Sequence, residues 1–125
     1  MEPLVFKKLS VDQDNKLCYI NGEAIALSKK EYELLVFLMS HPNYVHSRED
    51  LLKELWDNSV SLRTIDTTVS RLRKKLQEYG VYITTRLGFG YSFNNDERTS
   101  SIWKRKNESS TWILLLNDYS KDLPC

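Results

Sequence analysis

Between Arg63 and Leu76 the chain reads RTIDTTVSRLRKKL, a run whose residue types could hold a polyanion. Arginine and lysine pair with phosphates or guanine edges, and short serine and threonine side chains let another backbone approach closely. The spacing makes that chemistry usable. At the helical period Ile65, Val69, Leu72 and Leu76 stack along one side. The other side carries Arg63, Thr64, Thr67, Ser70, Arg71, Lys74 and Lys75. A helix of this kind buries its apolar stripe and offers cations and hydroxyls to a DNA major groove. The competing reading is an ordinary solvated face, and the helix alone does not decide between them.

The elements before and after must hold that helix in place. Leu4–Leu9, Leu17–Ile20 and Ala24–Leu27 read as short strands, with turns at Asp12–Asn15 and at Asn21-Gly22. Asn-Gly between two such runs is a hairpin signal. Ser28-Lys29-Lys30-Glu31 matches a capping box, and a broadly apolar helix follows as far as His41-Pro42. A second cap, Ser47-Arg48-Glu49-Asp50, opens a helix with Leu51, Leu52, Leu55 and Trp56, which Asp57-Asn58-Ser59 breaks. The basic helix is expected over about 63–78, with Gly80 as its terminator. Two strand-like arms, Tyr82–Arg86 and Tyr91–Phe93, then flank Leu87-Gly88-Phe89-Gly90 and predict a hairpin over 82–93. Sheet, three helices and hairpin make an α+β winged helix-turn-helix, in which the third helix enters the groove beside the hairpin wing.

Four ordered segments, LSKKEYELLVFLMSHP, VHSREDLLKELW, RTIDTTVSRLRKKL and ITTRLGFGYSF, stand at fitting separations. Over roughly Leu4 to Phe93 the chain resembles the DNA-binding output domain of OmpR/PhoB-type response regulators. The resemblance implies a four-stranded N-terminal sheet and a helix that reads tandem half-sites in double-stranded DNA, with a homodimer assembled on the DNA. It implies contacts to phosphates or base edges from Arg63, Thr64, Arg71 and Arg73, with Thr67, Thr68, Ser70, Lys74 and Lys75 on the same helix. Trp56 falls at a position that packs the core and can touch the DNA backbone, and Thr85 at a phosphate-contacting one. The loop Asp57, Asn58, Ser59, Val60, Ser61 and Leu62 stands where some members contact RNA polymerase.

Two departures bear on the transfer. The family wing usually reads T-V-R-G-x-G-Y, whereas here Thr85-Arg86-Leu87-Gly88-Phe89-Gly90-Tyr91 places the arginine one position early. Alternation along a strand sends Arg86 to the other face. Thr68 and Ser70 stand where many members carry larger polar or basic residues, so sequence preference is not transferable. A receiver domain with a phosphorylated aspartate commonly precedes such domains, and only three residues precede Leu4 here. The sequence is therefore either a fragment of a longer regulator or a domain that stands alone.

Charge agrees with this reading once it is divided along the chain. The net charge is +1, but residues 1–62 sum to −3, residues 63–106 to +6 and residues 107–125 to −2. Local positive charge attracts a polyanion more than the total does. Other function classes find little support. Cys18 and Cys125 lie near opposite ends without a CxxC pair, and His41 and His46 lack ligand spacing with them, so no structural zinc or other cofactor is expected. Glu31 and Asp50 are better explained as capping partners than as catalytic carboxylates, and no enzyme activity is expected. No stretch reaches the length of a membrane span and no signal peptide is evident, which predicts a cytoplasmic protein. The rival from another class is a winged helix that docks a protein through its basic helix or its tail.

Residues 94–125 lie outside the winged-helix pattern of residues 1–93 and form a C-terminal extension. Trp103-Lys104-Arg105-Lys106 is basic and Thr111–Leu116 reads TWILLL. Such an apolar run is costly in water and is expected to pack on its own domain or on another chain.

Overall fold

A computed structural model describes residues 2–95. The N-terminal part is an antiparallel sheet of β1 (Leu4–Phe6), β2 (Leu9–Asp12), β3 (Leu17–Ile20) and β4 (Glu23–Ile25), in that spatial order. Leu9 and Val11 on β2, with Cys18 and Ile20 on β3, point into the core, while Ser10 and Tyr19 alternate with them. The single strand expected over Leu4–Leu9 is two strands. Lys7 takes a left-handed φ of 55° and turns the chain there. Composition hid that turn because lysine is not a turn-forming residue.

Three helices follow, α1 (Lys29–Ser40), α2 (Arg48–Trp56) and α3 (Leu62–Lys75). The capping box of α1 forms in full. The Ser28 hydroxyl accepts from the Glu31 N–H at 3.2 Å, and the Glu31 carboxylate accepts from the Ser28 N–H at 2.9 Å. At α2 the Ser47 hydroxyl accepts from the Asp50 N–H at 3.0 Å. Asp57 and Asn58, both left-handed, end α2. Leu34, Leu35 and Leu38 of α1, Leu51 of α2, and Ile65, Val69 and Leu72 of α3 are fully or almost fully buried in one core.

Helix α3 is shorter than expected. It closes at Lys75, Gln77 adopts φ 57°, and a 3-10 turn runs over Gln77–Tyr82. Gln77 therefore supplies the left-handed stop that the sequence had assigned to Gly80. Gly80 has a different task, because a Cβ there would lie 2.4 Å from the Arg73 carbonyl oxygen. The chain packs so closely at this point that only glycine fits. At the other end, Leu62 is the first residue of α3 rather than the last of the preceding loop.

The wing consists of β5 (Ile83–Arg86) and β6 (Gly90–Phe93), paired antiparallel with Thr85 opposite Tyr91. Phe6 from the N-terminal sheet meets Tyr79, Tyr82 and Phe93 edge-on, so the base of the wing is built into the core. On its outer side β6 pairs with the turn between α1 and α2. His46 and Tyr91 exchange backbone hydrogen bonds of 2.8 and 3.0 Å. Cys18 is buried and free, and burial pushes its thiol up to about 11, which keeps it protonated. No helix among the described residues is long and apolar enough to cross a membrane. The TWILLL run and its basic neighbours lie outside the described residues.

Candidate nucleic-acid interface

Helix α3 divides its fourteen residues between three tasks. Ile65, Thr68, Val69 and Leu72 face the core. Arg63, Thr67, Ser70, Arg71 and Lys74 are exposed and recur at spacings that keep them on one side. The flanks between these faces hold the helix to its neighbours.

The wing-side flank is Asp66 and Arg73. Arg73 donates from Nε to the Ile83 carbonyl at 2.9 Å and from Nη2 to the Thr85 hydroxyl at 2.7 Å. Its guanidinium lies 5.7 Å from the centre of the Tyr91 ring. Burial lowers its pKa from the ordinary arginine value, against the opposing influence of Tyr91. Asp66 accepts from the Tyr91 hydroxyl at 2.7 Å and pairs with Arg48 of α2 at 3.1 Å. Burial first, and then the Asp66 hydrogen bond, push the Tyr91 phenol up to about 12. Asp66 is thus tied to both the wing and the start of α2.

The opposite flank binds α3 to α1. Lys75 Nζ lies 2.6 Å from the Glu31 carboxylate, whose other duty is the α1 capping box. Burial opposes ionisation of Glu31, but the Lys75 and Ser28 hydrogen bonds outweigh it and the pKa is lowered. Thr64 is half-buried, and its carbonyl accepts the Thr68 hydroxyl at 2.8 Å.

The residues singled out from the sequence therefore separate. Arg63, Thr67, Ser70, Arg71 and Lys74 form one outward row, while Thr68 faces inward and Arg73 and Lys75 are held by other parts of the fold. Trp56 is 8% exposed, and Lys30 Nζ lies 5.5 Å from the centre of its ring. Thr85 is half-buried with its hydroxyl turned to Arg73, and Arg86 is exposed at the end of β5. In the loop before α3, Asp57, Asn58, Ser59 and Ser61 are exposed and Val60 packs against the core. Ser59 folds back, its hydroxyl donating to the Trp56 carbonyl at 2.6 Å.

Sequence reasoning missed Arg48. Its carboxylate partner Asp66 is one of ten walls of a cavity of about 300 Å³ between the start of α2 and the wing, and Arg48 is another. Arg48 Nε is buried and has no hydrogen-bond partner among the described residues. One signal was present in the sequence. Asp66 is the sole acidic residue between Arg63 and Gln77, and a lone carboxylate in a basic helix implies a cationic neighbour.

Residues 22–93 match the family described as transcriptional regulatory protein, C terminal. The chain belongs to that family. It is a winged-helix DNA-binding domain of the OmpR/PhoB type found as the output domain of transcription regulators. It is 46% identical over 96 residues to the transcriptional regulatory protein ResD of Bacillus subtilis, a match covering 72% of this chain and 40% of ResD. The chain thus spans about two-fifths of the length of the curated relatives it matches. The fold is similar to that of the response regulator DrrB of Thermotoga maritima, an OmpR/PhoB homologue. There the TM-score is 0.69 at 36% identity, covering 74% of this chain and 44% of DrrB. It is similar too to the RstA DNA-binding domain of Klebsiella pneumoniae solved in complex with the RstA box. That match has a TM-score of 0.65 at 30% identity and covers 77% of this chain and all of the domain, 100%.

Proposed function

We propose that this domain recognises specific double-stranded DNA by laying the outer face of α3 in the major groove. The observation that carries the reading is the outward row of Arg63, Thr67, Ser70, Arg71 and Lys74. Two arginines and a lysine supply charge for phosphates and guanine edges, and the hydroxyl residues between them keep the surface low enough for close approach. Arg48, with one guanidinium nitrogen paired to Asp66, adds a cation at the wing side of that row. Arg86 and Thr85 lie close to the flanking backbone, and Trp56 reaches DNA only by its edge. Thr64 and Lys75 border the contact from the α1 side. Arg73 and Thr68 act as supports, the first by fixing the wing and the second by filling the core.

Titration of a labelled duplex at several salt concentrations tests this reading. Neutralising four or five phosphates gives a log–log slope near about −4. No binding at low salt would remove the DNA reading and leave the protein-docking alternative.

By likeness to the family, the domain acts in the cytoplasm, pairs with a second copy on tandem half-sites and presents the loop Asp57–Leu62 to RNA polymerase. The exposed Asn58 and Ser59 carry the loop part of this proposal. Asn58→Ala with Ser59→Ala should reduce transcription activation while promoter binding stays unchanged. Parallel loss of both would make the loop structural only.

A further inference from the structure

The last described residue is held at a particular place. The Asn43 side chain donates to Asn95 Oδ1 at 2.7 Å and accepts from the Asn95 backbone N–H at 3.1 Å. Asn43 lies in the turn after α1, two positions beyond His41. His41 forms one wall of an open groove of about 400 Å³ between α1 and the end of α2. Tyr32, Val36 and Phe37 of α1 and Leu55 of α2 supply its apolar lining, all half-buried. Glu33, which is paired with Lys30 at 3.0 Å, and the exposed Glu54 stand on its rim. No lining residue of this groove belongs to α3 or to the wing.

The sequence beyond Asn95 contains a matching occupant. Thirty residues follow, and Trp112, Ile113, Leu114, Leu115 and Leu116 form their one continuous apolar run. Fifteen residues, 96–110, separate Asn95 from Thr111. A random-coil chain of that length spans on the order of 20 Å on average and about 50 Å at full stretch. With Asn95 beside the groove wall, a segment tethered by so short a chain meets the groove at an effective concentration of order millimolar. Lys104, Arg105 and Lys106 complement Glu54 in charge, Glu33 being paired with Lys30.

We propose that residues 111–116 dock in the α1–α2 groove of their own chain, with Trp112 as the anchor. Docking covers the apolar run and the exposed sides of Tyr32, Val36, Phe37 and Leu55 together. A tryptophan by itself buries roughly 150–250 Å². The groove and the DNA-reading row share no residue, so the tail stabilises the domain without occupying its binding face.

The test uses the 125-residue chain with Ser40→Cys and Cys125→Ser, carrying a nitroxide at position 40 on the groove wall. Cys18 is buried and is spared by the label. In the 15N-labelled protein the amide signals of residues 111–116 should broaden strongly. That broadening should persist when the sample is diluted tenfold with unlabelled, spin-free protein. Absence of broadening, or its disappearance on dilution, overturns the proposal, the second outcome meaning that a neighbouring copy supplies the tail. A companion variant of the 125-residue chain, Trp112→Ser with Leu114→Ser, leaves residues 2–95 untouched. It should abolish the broadening and lower the melting temperature by about 4 °C or more, with DNA affinity within about twofold. An unchanged melting temperature would equally overturn it.

Discussion

The outer face of α3 and the wing lie side by side but are built on opposite principles. The helix face is open among the described residues: Arg63, Arg71 and Lys74 extend outward from a helix whose stability comes from Ile65, Val69 and Leu72 on the far side. The wing is held at several points. Arg73 grips the Ile83 carbonyl and the Thr85 hydroxyl, Tyr91 donates to Asp66, and His46 pairs with Tyr91 along the backbone. Only the tip is open, with Leu87 63% and Phe89 70% exposed. Two arginines, two positions apart on α3, therefore have unlike roles. Position on the helix, rather than charge, decides which can reach a ligand.

The strongest way to break this contrast is at the wing root. Gly90 has φ 141°, and a Cβ there would lie 1.9 Å from the His46 carbonyl oxygen. Gly90→Ala should cost roughly 3 kcal/mol or more, because the added carbon meets backbone that cannot move aside. Thermal unfolding should report a melting temperature lower by more than about 10 °C. A near-native melt would show that the wing is looser than its contacts imply.

The two arginines sharpen the contrast directly. Arg73→Ala removes a half-buried group with two hydrogen bonds and should lower stability by about 1–3 kcal/mol. Arg71→Ala should leave the melt unchanged and weaken DNA binding by about 1–3 kcal/mol if the side chain reads a guanine edge. Duplex titration together with thermal melting of both variants would separate the roles. Equal effects of both on stability would collapse the distinction.

The smallest effect is expected at the wing tip. Leu87→Arg adds a cation at an exposed position beside the proposed interface and should strengthen DNA binding by less than about tenfold, with a steeper salt dependence. Arg86→Ala should cost less affinity than Arg71→Ala. A large loss from Arg86→Ala with no gain from Leu87→Arg would place the reading role in the wing.

Local sequence determined a great deal here. The apolar stripe from Ile65 to Leu76 dictated a helix with one buried side. Ser28 and Glu31 set the start of α1 to the residue, because capping depends on groups three positions apart. The order of elements and the four family-like segments gave the fold. Short-range signals of this type survive without tertiary context. Where such signals are weak the chain turns unannounced: Lys7 and Gln77 adopt left-handed conformations that their residue types do not favour.

Tertiary structure decided which cations are available. The helical period already leaves Arg73 off the outer side of RLRKK without saying what holds it, and it does not separate Lys74 from Lys75, which are both long, basic and on the polar side. The wing takes Arg73 through Ile83 and Thr85, and α1 takes Lys75 through Glu31, contacts that span 10, 12 and 44 residues of sequence. Gly80 and Gly90 likewise owe their identity to backbone that approaches from elsewhere, the Arg73 and His46 carbonyls. Pairings between distant segments depend on how the core packs the elements together. Local periodicity shows which side of a helix is polar, and only the packed neighbours settle which of its charges remain free.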